Sequence, residues 1–399
     1  MQRTENAMIR KLFERGALMV CAALVALALP ARADTGFDTR ATAAYVLDLN
    51  SGTVLLDKAA DLPLPPASMS KLMTLVMLFE AIEDGRMTLE TPFTVSERAY
   101  RMGGSRMFLE PRHRPTAEDL IRGIAVLSGN DATVVVAEGL AGTEEAFATM
   151  ATRRARELGM ENTTIANSSG WPHPQHRMSM RDLVILAEHM IEEFPDFYPY
   201  LSERSFTWND ITQDNRVPLL GAGVGLDGLK TGFTSEAGYS LTGSAQQGDR
   251  RIIFAFSGLG SERERVEEAE RIINWAFRQF TETTLAREGQ QLAEAPVWMG
   301  EARSVPLVAP KDLRVLIPAI AQRSLDARVV YDTPLPAPIA AGDQVAELVI
   351  TVPDMEDRRL PLVAGESVAE GPFTTRLMAA AEVLLRELRA ARDGATDAE

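Results

Sequence analysis

Lysine is used sparingly in this 399-residue chain: Lys11, Lys58, Lys71, Lys230 and Lys311 are the only lysines among 41 Lys and Arg residues. A guanidinium keeps its proton in any protein setting, whereas an ammonium gives it up when desolvated. Each lysine in an arginine-using chain is therefore a candidate base. Lys71 follows Ser68 by three residues, one turn along the helix expected there and on the same face. Burial of that helix would lower the lysine pKa and let the amine take the serine proton, making Ser68 a nucleophile for acyl transfer. The helix start adds unpaired N–H groups and a positive dipole end beside the attacking oxygen. No other lysine has a serine three residues before it. Ser128-Gly-Asn130 is likewise the only Ser-x-Asn, and Lys230-Thr-Gly232 the only Lys-Thr-Gly. Taken singly, each also fits a bland element: an N-cap serine with a solvated lysine, a turn between helices, a charged strand end.

The three together, in this chain order, are the arrangement of the penicillin-recognising serine enzymes. Their flanks agree: Pro66-Ala-Ser-Met-Ser-Lys71, Arg122-Gly-Ile-Ala-Val-Leu-Ser-Gly-Asn-Asp-Ala132, and Asp227-Gly-Leu-Lys-Thr-Gly-Phe-Thr234 followed by Ala237-Gly-Tyr239. From about residue 40 to its last helical segment the chain resembles the low-molecular-weight penicillin-binding proteins, D-alanyl-D-alanine carboxypeptidases with a C-terminal β-domain. The resemblance implies an α/β (α+β) penicillin-binding, β-lactamase-like transpeptidase domain. It further implies removal of the terminal D-alanine from peptidoglycan stem pentapeptides and covalent inhibition by β-lactams, with no metal or organic cofactor. Carried over by position, Ser68 would attack the penultimate D-alanine carbonyl with Lys71 as base, and Ser128 would relay a proton to the leaving group. Asn130 would bond the peptide backbone. Lys230 and Thr231 would hold the terminal carboxylate, Gly232 would let the substrate lie along the strand, and Arg251 would be an additional carboxylate-binding arginine. The N–H groups of Ser68 and Phe233 would form the oxyanion hole. Phe233 stands where some relatives have histidine, so a side-chain effect on deacylation does not transfer. Arg216 resembles a family arginine upstream of Lys-Thr-Gly, and either assists the carboxylate or forms a structural ion pair. A D,D-endopeptidase, a serine β-lactamase and a non-catalytic peptidoglycan-binding protein are the alternatives; against the lactamase stand the C-terminal β-domain and the lack of a Glu-x-x-Leu-Asn run.

The elements that must position these residues follow from pattern. Residues 45–49 and 53–56, joined by Asn50-Ser-Gly52, read as a hairpin. Ser68 to about Glu83 reads as a helix apolar nearly all round, hence central and buried. Further helices are expected at about 117–128, 131–140, 144–158, 180–193 and 262–281, with strands around 237–257, which suggests a mixed sheet beside a helical cluster. Asp131 reads as an N-cap. His173 and His176, between prolines and without a third ligand, read as a surface loop near the site rather than a metal centre. Past residue 284, β-like runs at 297–299, 305–308, 313–317, 327–331, 344–352 and 360–363 have the spacing of a small sandwich over 284–370.

Residues 1–33 carry a basic start, the uncharged run Gly16 to Leu29 and Ala31-Arg-Ala33, the layout of a secretory signal peptide. The segment holds five basic and two acidic residues, so its removal takes the net charge from −15 to −18 and the single cysteine with it. That acidity argues against nucleic acid as a partner. The expectation is a periplasmic enzyme whose catalytic domain spans 34–283. At 371–392 an amphipathic helix places Phe373, Leu377, Leu384 and Leu388 on one face and several arginines away from it, ahead of an acidic tail at 393–399. Such a helix suits the membrane interface, and the resembling family is anchored this way on the outer face of the inner membrane.

Overall fold

The computed structural model describes residues 37–318, 325–351 and 357–372. The leader segment and the 371–392 helix, apart from its first two residues, lie outside the described residues. Two compact units divide near Ala286. The first opens with the hairpin β1 (Ala43–Asp48) and β2 (Thr53–Lys58). Its helices are α1 (Lys71–Glu83), the short α2 (Glu97–Tyr100), α3 (Ala117–Ala125), α4 (Asn130–Ala141), α5 (Glu144–Glu157) and α6 (Met180–Glu193). A small hairpin, β3 (Ser205–Trp208) and β4 (Ile211–Asp214), precedes β5 (Leu226–Thr234), β6 (Gly238–Gln247) and β7 (Arg250–Leu259), then α7 (Glu262–Gln279) and β8 (Phe280–Ala286). The main sheet is antiparallel in the order β2-β1-β7-β6-β5, so β5, with Lys-Thr-Gly, is an edge.

Local chemistry explains most boundaries. Thr116, Thr143, Ser179 and Ser261 each cap a helix by accepting the N–H of the third helical residue, and Thr116 forms a reciprocal capping box with Asp119. The period-2 signal is clear in β6, and β7 carries the continuous apolar run Ile252–Phe256 of a strand buried on both faces. In β5 the residues Asp227, Gly228, Lys230 and Gly232 interrupt the alternation, which is why pattern alone gives only an edge there. The helix expected from Ser68 begins instead at Lys71: residues Ala67–Ser70 form a single 3-10 turn, entered from Pro65-Pro66 with Ala67 at φ 51°. Ser68 thus sits in the tight turn just ahead of α1.

Helix α1 is the axis of the core. Leu72, Leu75, Val76, Leu78 and Phe79 are fully buried, and the Phe79 ring stacks on Phe197 at 4.7 Å and tilts against Phe194 at 5.7 Å. Helices α3 to α6 surround it, and Ile253 and Ala255 of β7 close the cluster.

The second unit holds β9 (Gln291–Trp298), β10 (Ser304–Val308), β12 (Asp326–Val330), β13 (Leu335–Pro336), β14 (Gln344–Thr351) and β15 (Arg358–Ala364). They join one sheet, β12-β14-β15-β10-β9-β13, over Ala295, Val305, Leu307, Leu348, Ile350 and Leu362. The run at 313–317 is not one of its strands. It is β11 (Leu313–Pro318), which pairs with β8 and belongs almost wholly to the first unit; sequence spacing cannot tell which sheet a short apolar run joins.

Because Phe79 is enclosed by rigid neighbours, Phe79→Ala should lower the unfolding free energy of the first unit by about 3–5 kcal/mol. Urea unfolding of the two proteins measures this, and a loss below about 1 kcal/mol would show that α1 is not the packing axis.

Candidate active site

Lys71 begins α1 and is completely buried. Its Nζ lies 2.8 Å from Ser68 Oγ and donates to the carbonyl of Ser169. Burial pushes its pKa well below the usual lysine range, and the charges of Lys230 and Arg216 push the same way. A neutral amine next to a hydroxyl is a base aimed at a nucleophile.

The carbonyl that receives Lys71 is itself held by buried polar groups. Glu144, at the start of α5, accepts the Ser168 N–H at 3.0 Å and the Ser168 hydroxyl at 2.7 Å, while its other oxygen pairs with Arg98 at 2.5 Å. Thr74 of α1 donates to the Ser168 carbonyl at 2.8 Å. Gly170, at φ 77°, lets this loop lie against the nucleophile turn: a Cβ there would meet the Ala67 carbonyl oxygen at 1.8 Å. None of Thr74, Glu144, Ser168 or Ser169 carries a motif; a glutamate in the first turn of a helix reads simply as a dipole partner.

Ser128 and Asn130 occupy the turn from α3 into α4. Ser128 is buried with φ 58°, a conformation costly for a residue with a side chain. Asn130 Nδ2 donates to the Gly103 carbonyl at 2.7 Å. The N-cap of α4 is Gly129, not Asp131. The fully buried Asp131 carboxylate instead accepts the N–H groups of Met107 at 2.8 Å and Leu109 at 3.1 Å, fastening the 103–109 loop beside the site.

On β5, Lys230 and Thr231 are buried, and Phe233 is 55% exposed. Gly232 is obligatory for close approach: a Cβ would come 2.9 Å from the Pro66 carbonyl oxygen and 2.7 Å from Ser240 Oγ. Burial lowers the Lys230 pKa to about 7, with Arg216 and Arg265 contributing by charge. Arg216 donates to Ser105 Oγ at 2.5 Å. Arg265, on α7, is buried, lies over the Tyr239 ring and pairs through Nη2 with Glu262 at 2.9 Å, while its Nε has no hydrogen-bond partner among the described residues. Arg251 does not join these cations. Its guanidinium is taken up by Asp227 at 2.8 Å, Ser244 at 2.6 Å and Gln246 at 2.6 Å, and it faces Tyr198. Arg265, and not Arg251, is the arginine whose charge acts on Lys230; it follows Lys-Thr-Gly by more than thirty residues and has no sequence context to mark it.

A cleft of about 360 Å³ opens beside Ser68, lined by Asn130, Gly170, Trp171, His176, Arg177, Phe233 and Glu236 among others. His176 differs from the surface residue expected. It is buried, accepts the Ala166 N–H on Nδ1 at 3.2 Å, and has a pKa lowered by burial to about 3, so it stays neutral. His173 remains exposed on the rim.

Residues 30–258 match the D-alanyl-D-alanine carboxypeptidase family and residues 280–370 match the penicillin-binding protein 5 C-terminal domain. The chain is 34% identical to D-alanyl-D-alanine carboxypeptidase DacC of Escherichia coli, over 84% of this chain and 86% of that one. It is 31% identical to DacF of Bacillus subtilis, over 84% and 88%. Among solved structures, penicillin-binding protein 5 of Haemophilus influenzae superposes with a TM-score of 0.75 at 32% identity, covering 84% of this chain and 99% of that one. Penicillin-binding protein D2 of Listeria monocytogenes, solved in an ampicillin-bound form, gives 0.56 at 28% identity over 61% and 99%. With Ser68 and Lys71 in contact beside a cationic strand edge, and with these likenesses spanning both units, the chain belongs to the penicillin-binding, serine-type D-alanyl-D-alanine carboxypeptidases.

Proposed function

We propose that Ser68 is the residue acylated by the substrate and by β-lactams, and that Lys71 takes its proton. The observation that carries this is the 2.8 Å contact between Ser68 Oγ and the buried Lys71 Nζ. The hydroxyl attacks the carbonyl carbon of the penultimate D-alanine. The oxyanion forms between the N–H groups of Ser68 and Phe233, each such donor being worth about 3 kcal/mol. Collapse expels the terminal D-alanine, its nitrogen protonated through Ser128, and water then cleaves the ester. Asn130 holds the peptide backbone, and Gly232 allows an extended substrate to lie antiparallel on the β5 edge. The terminal carboxylate is held by Lys230 and Thr231 with Arg216 and Arg265, the cations whose charges Lys230 feels. The secretory layout of 1–33 supports a periplasmic setting, and the amphipathic pattern of 371–392 supports attachment to the outer face of the inner membrane.

Two predictions separate these roles. Lys71 is active once deprotonated, so kcat/KM rises with pH on the acid side. Lys230, with its pKa at about 7, is charged below that pH and neutral above it, so carboxylate binding weakens as pH rises past this value. Lys230→Arg keeps the charge and should move the falling limb up by about one pH unit or more, whatever its effect on rate; a limb that stays put removes Lys230 from carboxylate binding. Arg265→Ala should raise KM for D-Ala-D-Ala peptides about 10–100-fold, the worth of a charge-assisted hydrogen bond. Arg251→Ala should leave KM within about twofold and lower stability instead. The opposite ranking in steady-state D-alanine release would restore Arg251 to the site.

A further inference from the structure

The cleft beside Ser68 contains a pair of opposite charges that hydrolysis does not use. Arg177 Nη2 stands 3.0 Å from Glu236 Oε1, joining the loop before α6 to the turn between β5 and β6. Both line the same cleft as Ser68, Asn130, Trp171 and Phe233. The arginine is steadied by its backbone, which exchanges hydrogen bonds with Thr164, and by Nη1 donating to the His176 carbonyl at 3.2 Å. Glu236 is 66% exposed on its side chain and Arg177 28%. As structure, an ion pair so open contributes at most about 1 kcal/mol, and a ligand can part it at little cost.

Strand geometry says what arrives there. A substrate antiparallel to β5, with its carboxylate at Lys230 and Thr231 and its scissile carbonyl at the Phe233 N–H, advances about 3.3 Å per residue, as β5 does. The residue before the two D-alanines then comes alongside Thr234 and Ser235, and a long side chain from it reaches Glu236 and Arg177. Trp171 and Phe233, 47% and 55% exposed in the same cleft, offer apolar surface to its methylene stem. A side chain ending in an amine alone would satisfy Glu236 and leave Arg177 without a counter-charge. One ending in both an amine and a carboxylate exchanges one exposed ion pair for two. We infer that Arg177 and Glu236 form a subsite for the residue preceding D-Ala-D-Ala, selecting a diamino diacid whose carboxylate meets Arg177 and whose ammonium meets Glu236. The inference rests on the carboxypeptidase reading and on the binding direction given above.

The test compares acetylated tripeptides ending in D-Ala-D-Ala that differ only in the first residue: 2,6-diaminopimelate, its side-chain N-acetyl derivative, or lysine. D-alanine release by the full-length enzyme should give a kcat/KM for diaminopimelate at least about tenfold above lysine, one charge-assisted contact. In Arg177→Ala that ratio should fall to within about twofold, and in Glu236→Gln the preference for the free over the acetylated amine should vanish. Each preparation is titrated with benzylpenicillin so that rates refer to competent nucleophile. Equal wild-type rates on diaminopimelate and lysine overturn the inference without any variant, and so does a preference that survives Arg177→Ala. Absence of both D-alanine release and penicillin adduct in the wild type is a different result, and would overturn the carboxypeptidase reading together with the subsite.

Discussion

A lysine with no exposure to water sits at the start of α1, the most buried helix among the described residues, 2.8 Å from a serine hydroxyl. Placing an ammonium there uncompensated would cost several kcal/mol, so burial disfavours the charged form and pulls the amine's pKa well below the usual lysine range. The surroundings reinforce this: Lys230 and Arg216 disfavour a further positive charge, and only Asp131 opposes them. Asp131, however, has its oxygens engaged by the N–H groups of Met107 and Leu109. One carboxylate thus builds the loop over the site and does not pair with the base. The rest of the first unit follows from keeping Lys71 dry and aimed, with α1 wrapped by helices on its flanks and the Ser168–Gly170 loop bound from behind by Glu144.

The site is strongly cationic within an acidic protein of net charge −15. Lys71 feels the charges of Lys230 and Arg216, and Lys230 feels those of Arg216 and Arg265, an arrangement suited to a ligand that brings its own carboxylate. A bound carboxylate favours the charged form of Lys230, whereas burial disfavours the charged form of Lys71. Two lysines on facing elements are thereby divided into a base and an anion holder by burial and neighbours alone, the pattern that sorts acid–base roles in many active sites.

What the sequence made legible and what it did not divide along a physical line. Ser68, Lys71, Ser128, Asn130 and Lys230 to Gly232 stand in local patterns whose spacing is the chemistry, and periodicity located nearly every helix to within a few residues. The failures lie where position depends on distant chain. Arg251 and Arg265 are both arginines after Lys-Thr-Gly, and only the register of β5, β6 and β7 shows that Asp227 occupies the first. Residues 313–317 have the same pattern as the strands of the β-domain yet pair with β8 in the first unit. Asp131 and His176 were expected to face solvent or a helix end; both are buried because loops fold over them, and loop paths leave no periodic signal. The positive φ at Ala67 and Ser128 was also invisible, since neither residue type favours it.

The identity of the nucleophile underlies every other assignment. Intact-mass analysis with benzylpenicillin, followed by peptide mapping, tests it directly in the wild type and in Ser68→Ala. The account predicts one stoichiometric adduct in the wild type, on the peptide containing Ser68, and none in the variant. An adduct on another residue, or one that persists in Ser68→Ala, would contradict it.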